Sequence, residues 1–193
     1  MNLPNKLTIF RIILIPFFIL VLATPITIGT FAIGGTVLSG AQIVATLIFI
    51  VASLTDFLDG QIARRNHLVS NFGKFADPLA DKMLVMTAFI FLVELKMAPA
   101  WVIAIIVCRE LAVTGLRLIV VENDGQVIAA AWPGKIKTTT QMLAIIFLLL
   151  NNVFFAAINF PIGQIMLYIC LFFTVYSGID YFVKNRNIFS DSF

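Results

Sequence analysis

The chain has 193 residues, 61% of them hydrophobic and only 12% Asp, Glu, Lys or Arg, with a formal net charge of +3. Soluble domains run about 45–50% apolar and about 25% charged. A soluble enzyme, a disordered chain and a disulfide scaffold are therefore excluded, and an integral membrane protein remains.

A bilayer core about 30 Å thick needs about 20 apolar residues of helix. Six stretches answer this, at about 7–23, 40–55, 78–93, 99–121, 139–157 and 162–183. They are apolar all round, and none alternates as barrel strands do. The expected fold is thus all-α: one domain over 1–193, six transmembrane helices. The first stretch looks like a signal peptide, but Arg11 abuts its apolar part, no A-x-A site follows, and five more spans need a partner. Residues 24–39, with Gly29, Gly34 and Gly35, read as an external loop. The second stretch continues as a polar helix past Asp56.

Basic residues set the orientation. Lys6 and Arg11, then Arg64, Arg65, Lys74 and Lys82, then Lys135 and Lys137, then Lys184 and Arg186 fall on one side. Lys96 alone falls on the other. Both termini are therefore expected in the cytoplasm. Cys108 and Cys170 sit in apolar spans without metal-ligand spacing and read as small buried hydrophobes. His67 reads as a solvated loop residue.

The chemistry concentrates in residues 55–82, TDFLDGQIARRNHLVSNFGKFADPLADK. Asp56 and Asp59 are spaced i, i+3, and Asp77 and Asp81 i, i+4, so each pair shares a helix face. The first pair ends one span and the second begins the next, at the same membrane boundary. Four converging carboxylates suit hard divalent cations, Mg²⁺ or Mn²⁺, and are enough for a paired site of the kind used in phosphoryl transfer. As helix-end charges they would need no metal. Asp77 before Pro78 fits an N-cap with proline at the first helical position, but that accounts for one aspartate of the four. Gly60 and Ala63 leave room beside the site or allow close helix packing, and Arg64 fits a phosphate or an interfacial anchor.

The pattern Asp56-x-x-Asp59-Gly60-x-x-Ala63-Arg64, then eight residues, then Gly73-x-x-x-Asp77-x-x-x-Asp81, resembles the signature of the CDP-alcohol phosphotransferases. Three looser segments resemble the branch that uses sn-glycerol 3-phosphate: Asn2 to Thr8 with Arg11, Arg109-Glu110-Leu111, and Gly134 to Thr138 with Gln141. The resemblance implies transfer of the phosphatidyl group from CDP-diacylglycerol to sn-glycerol 3-phosphate at the cytoplasmic face of a bacterial membrane. It implies two divalent ions on Asp56, Asp59, Asp77 and Asp81, with Asp81 as general base, although spacing alone leaves Asp77 open. It implies that Asn5, Thr8, Gly60, Ala63, Arg64 and Gly73 meet CDP-diacylglycerol. It also implies a homodimer, with membrane lipids and no nucleic acid as partners.

A phosphorylated acceptor needs cations. Arg109 lies near the middle of the fourth span, where an arginine costs at least about 2.5–3.5 kcal/mol and faces a cavity or a partner. Glu110 is a candidate partner, but adjacent helical residues point about 100° apart. Arg117 follows on a similar face. With Lys135 and Lys137, these form the expected glycerol-phosphate cradle, although both lysines also fit as interfacial anchors. Another acceptor within the family, or a cation-coupled transporter, remains open. The absence of repeats and the siting of the carboxylates at one boundary disfavour the transporter.

Overall fold

A computed structural model describes residues 3–24, 29–65, 71–122 and 132–186; within its helices the side chains at 3–4, 58–60, 63–65, 71–72, 74–75 and 121–122 are outside that description. Among the described residues there are six α-helices: α1 (Leu3–Ala23), α2 (Gly40–Arg65), α3 (Asn71–Glu94), α4 (Ala100–Glu122), α5 (Trp132–Leu149) and α6 (Ile162–Lys184). Three contain stretches long and apolar enough to cross a bilayer: Asn5–Ala23, Gly40–Phe57 and Ile162–Lys184, with mean hydropathies of 2.3, 1.7 and 1.7. In α3 and α4 ionisable residues interrupt the apolar sequence, and in α5 Lys135, Lys137 and the polar run from Thr138 to Gln141 do.

α1 packs along α2 and against α3, α5 lies along α6, and α4 crosses α6. The core pairs large side chains with small ones. Phe18, Phe49, Phe89, Leu92, Ile106, Ile145 and Leu148 interleave with Ala45, Ala52 and Ala88. Small residues let helices approach closely, as membrane packing requires. Phe18 stands between Phe49 and Phe91, with ring centroids 6.5 and 6.1 Å away. α1 is thus part of the core. Bulky apolar residues also face outward: Ile90, Leu118, Phe172 and Ile179 are all exposed. A helix apolar on both faces buries one in protein and offers the other to lipid.

Four expectations need correction, the first being Cys108, which is exposed on α4, whereas Cys170 is buried as expected. The third helix does not start at Pro78 but at Asn71, with Pro78 inside it. Asp77 is therefore mid-helix and not an N-cap. A proline there loses one backbone bond, and the helix is held through buried Gly73, Ala76 and Ala80. The fifth helix runs Trp132–Leu149 rather than 139–157. Asn151 and Asn152 turn left-handed at φ 51° and 54° and end it, which asparagine tolerates better than most residues. The Asn152 Oδ1 then accepts the Gly163 N–H at 2.7 Å and caps the start of α6.

The expected loop at 24–39 contains a β-hairpin, β1 (Thr30–Ile33) paired antiparallel with β2 (Thr36–Ser39). Its two-residue turn is Gly34-Gly35, at φ 56° and 83°, the geometry that tight hairpins favour. A Cβ at Gly34 would lie 2.8 Å from the Phe154 nitrogen. The hairpin therefore seats closely on the connection between α5 and α6. His67 lies outside the described residues.

Candidate active site

Asn5, Thr8 and Arg11 recur every three residues on α1 and form one buried stripe toward α2 and α3. Arg11 is fully buried, and its Nη1 meets the Asp56 Oδ1 at 2.7 Å. Thr8 donates its hydroxyl to the Asp77 Oδ1. One face of α1 thus ties down one carboxylate from each aspartate pair. Asn5 and Thr8 were expected here. The sequence marks Arg11 as a flanking base and as part of a segment of the resemblance, with no role of its own, and the three-residue spacing is the available signal for its inward direction.

α2 continues helically through Asp59, Gly60, Ala63 and Arg64, whose side chains lie outside the described residues. Gly73 is buried in the first turn of α3. Asp81 lies one turn beyond Asp77, where Asp56 repels it and Arg11, Lys137 and Lys82 attract it. Among the described residues no three His, Cys, Asp or Glu side chains gather closely enough to hold a metal ion. The described carboxylates are hard oxygen donors, the kind Mg²⁺ takes, although Asp56 is paired with a guanidinium and Asp77 accepts from a hydroxyl.

Asp81 also opens onto a cavity of about 310 Å³ between α3, α4, α5 and α6. Among the described residues five basic side chains line it, Lys82, Arg109, Arg117, Lys137 and Lys184, against three acidic ones, Asp81, Glu110 and Asp180. The excess is two positive charges. Glu110 forms an ion pair with Lys137 and stands 3.7 Å from Arg109. The Arg109 Nη2 donates to the Ser177 Oγ at 2.8 Å. Lys82 donates to Thr114, and the Arg117 guanidinium sits 5.5 Å from the Tyr181 ring centroid. Lys184 pairs with Asp180 at 2.7 Å on the exposed rim.

Of the four expected cradle residues, Arg109, Arg117 and Lys137 come together here. Lys135 does not: it is exposed, with its Nζ 5.4 Å over the Trp132 ring, and it does not line the cavity. Lys82 and Lys184 were read as interfacial bases and turn out to line the cavity. Thr114 and Ser177 carried no signal in the sequence, because an isolated hydroxyl in an apolar helix is compatible with any facing.

The model of the CDP-alcohol phosphatidyltransferase family matches residues 1–176. The chain is 48% identical over 184 residues to a Bacillus subtilis protein named CDP-diacylglycerol–glycerol-3-phosphate 3-phosphatidyltransferase, covering 95% of each. It is 39% identical to a Haemophilus influenzae protein of the same name, over 93% of this chain and 91% of that one. It is 37% identical to a probable phosphatidylglycerophosphate synthase of Mycobacterium tuberculosis, over 95% of this chain and 81% of that one.

Proposed function

Because the chain belongs to the CDP-alcohol phosphatidyltransferase family, we infer that it transfers the phosphatidyl group of CDP-diacylglycerol to sn-glycerol 3-phosphate, in phospholipid synthesis. The products are phosphatidylglycerophosphate and CMP. The similarity to the Bacillus relative, 48% over almost the full length of both chains, carries the reading. The cavity agrees with it. A phosphate monoester carries about −1.5 to −2 charge at neutral pH, and the cavity holds two excess positive charges beside Asp81.

The acceptor phosphate would be bound by Arg109, Arg117 and Lys137, with Lys82 beside them. Guanidinium groups suit this because their forked N–H donors match phosphate oxygens in pairs. Lys135 is set aside from the cradle. The acceptor hydroxyl oxygen bonds to the phosphatidyl phosphorus, the bond to the bridging diphosphate oxygen breaks, and CMP leaves. Asp81 takes the hydroxyl proton. It faces the cavity, whereas Asp77 is engaged by Thr8 and does not line it, so position favours Asp81 as base.

Asp56, Asp59, Asp77 and Asp81 would hold two divalent ions, Mg²⁺ or Mn²⁺. Bound there, the ions would supply charge neutralisation on the diphosphate. Asn5, Thr8, Gly60, Ala63, Arg64 and Gly73 would form the side of the site that receives CDP-diacylglycerol. Its acyl chains would remain among the lipid-facing helices. The basic residues beside this site support a cytoplasmic face for it, the reading being six spans with both termini inside. The homodimer rests on the family resemblance alone.

The test is CMP release by purified protein given CDP-diacylglycerol, Mg²⁺ and a panel of acceptors. Release with sn-glycerol 3-phosphate is expected. No release with any acceptor refutes the activity, and release only with another phosphorylated polyol refutes the choice of acceptor.

A further inference from the structure

Arg109 enters the cavity against α6 at two adjacent residues. Its Nη2 donates to the Ser177 Oγ at 2.8 Å, and that hydroxyl in turn donates to the Phe173 carbonyl at 2.6 Å. The Ser177 proton is thus committed to its own helix, which leaves an oxygen lone pair facing the guanidinium. The next residue is Gly178. A Cβ there would stand 3.1 Å from the Arg109 Cγ and 3.2 Å from its Nε. The arginine stem therefore lies across bare backbone, close enough that an added Cβ would force it to give by a few tenths of an ångström.

We propose that Ser177 and Gly178 are positioning residues for the acceptor phosphate, holding the Arg109 guanidinium in the cavity by a neutral contact that leaves its charge available. The proposal rests on the reading of Arg109 as a phosphate ligand. A carboxylate at 177 would hold the guanidinium as firmly but would cancel its charge. A hydroxyl fixes direction at no cost in charge. Among the described residues Glu110 makes only a longer ion pair with the Arg109 Nη1, at 3.7 Å, because the same oxygen is engaged more closely by Lys137. Arginine has many rotamers, and forked recognition of phosphate requires one of them. Gly178 supplies the space for that rotamer and Ser177 its end point.

The experiment is steady-state kinetics of CMP release for Ser177→Ala, Ser177→Thr, Gly178→Ala and Arg109→Ala, with thermal midpoints measured alongside. Losing one hydrogen bond to a charged group is worth on the order of tenfold in affinity. Ser177→Ala is expected to raise the KM for sn-glycerol 3-phosphate on the order of tenfold. Its kcat, its KM for CDP-diacylglycerol and its thermal midpoint should stay near those of the parent. Ser177→Thr keeps the hydroxyl and should restore the acceptor KM. Gly178→Ala should raise the same KM. An unchanged acceptor KM in Ser177→Ala, an equal change in both KM values, or failure of threonine to rescue overturns the proposal. Arg109→Ala separates it from its premise: an unchanged acceptor KM there refutes the phosphate cradle itself.

Discussion

Replacing Arg11 by methionine tests the link between the α1 stripe and the aspartates. Methionine keeps most of the stem volume and removes the charge. Arg11 is fully buried, while the Asp56 side chain is 37% exposed, and their atoms meet at 2.7 Å. Breaking a fully buried pair costs about 3–5 kcal/mol, and an exposed pair is worth about 0–1 kcal/mol. Asp56 keeps some access to water after the loss, so the expected cost falls between, at about 2 kcal/mol. For a chain of this size that is a fall of about 4–8 °C in thermal midpoint. Turnover should drop by at least about tenfold, because Asp56 loses the contact that fixes it. The assay is thermal unfolding of the purified protein, followed by tryptophan fluorescence, together with CMP release. Asp56→Asn should lower the midpoint too, and the double variant should lie no lower than the worse single one, because both break the same contact. An Arg11→Met protein with unchanged midpoint and unchanged turnover would refute the reasoning, as would strictly additive losses in the double variant.

Asp81→Asn should reduce turnover by about 10²–10⁴ at every Mg²⁺ concentration. Asp77→Asn, which keeps an oxygen for Thr8, should regain part of its activity as Mg²⁺ is raised; identical responses would remove Asp81 as the base. Lys135→Ala should leave the acceptor KM within about twofold, whereas Lys137→Met should raise it by more than about tenfold, because Glu110 then stands beside Arg109 without its lysine. The reverse ranking in a kinetic comparison would contradict the cavity geometry. Gly34→Ala should destabilise the protein by about 1–3 kcal/mol, since φ is +56° and the Phe154 backbone is in the way. Its turnover per folded molecule should match the parent, and a loss of turnover without a loss of thermal midpoint would count against a purely structural role.

The helices are legible in the sequence because long apolar runs mark them without any tertiary knowledge, and the spacing of the aspartates because it is local. The extension of α2 beyond Asp56 follows from helical spacing and is found. The start of α3 is not found where Pro78 suggests. Proline marks a first helical turn only when nothing upstream holds a turn together, and Gly73 and Ala76 are buried there. The sequence puts the start of α5 too late because Lys135 and Lys137 depress hydropathy, which cannot distinguish a lysine facing water from one facing a cavity. The same blindness hid Lys82 and Lys184 in the cavity wall. It also made Lys135 look equivalent to Lys137, although two residues along a helix turn the side chain through about 200°. Ser177 is legible only once α6 is known to lie against α4, a tertiary fact.

The burial of Arg11 also bears on how the protein is made. α1 leaves the ribosome before α2 does, and a helix with a cation among its apolar residues is poorly suited to lipid by itself. Its countercharge, Asp56, belongs to a segment not yet synthesised. Until that segment arrives, Arg11 must stay near the headgroups or in the insertion channel. The two helices are therefore expected to enter the bilayer as a pair, so that the first step of assembly already builds one wall of the site.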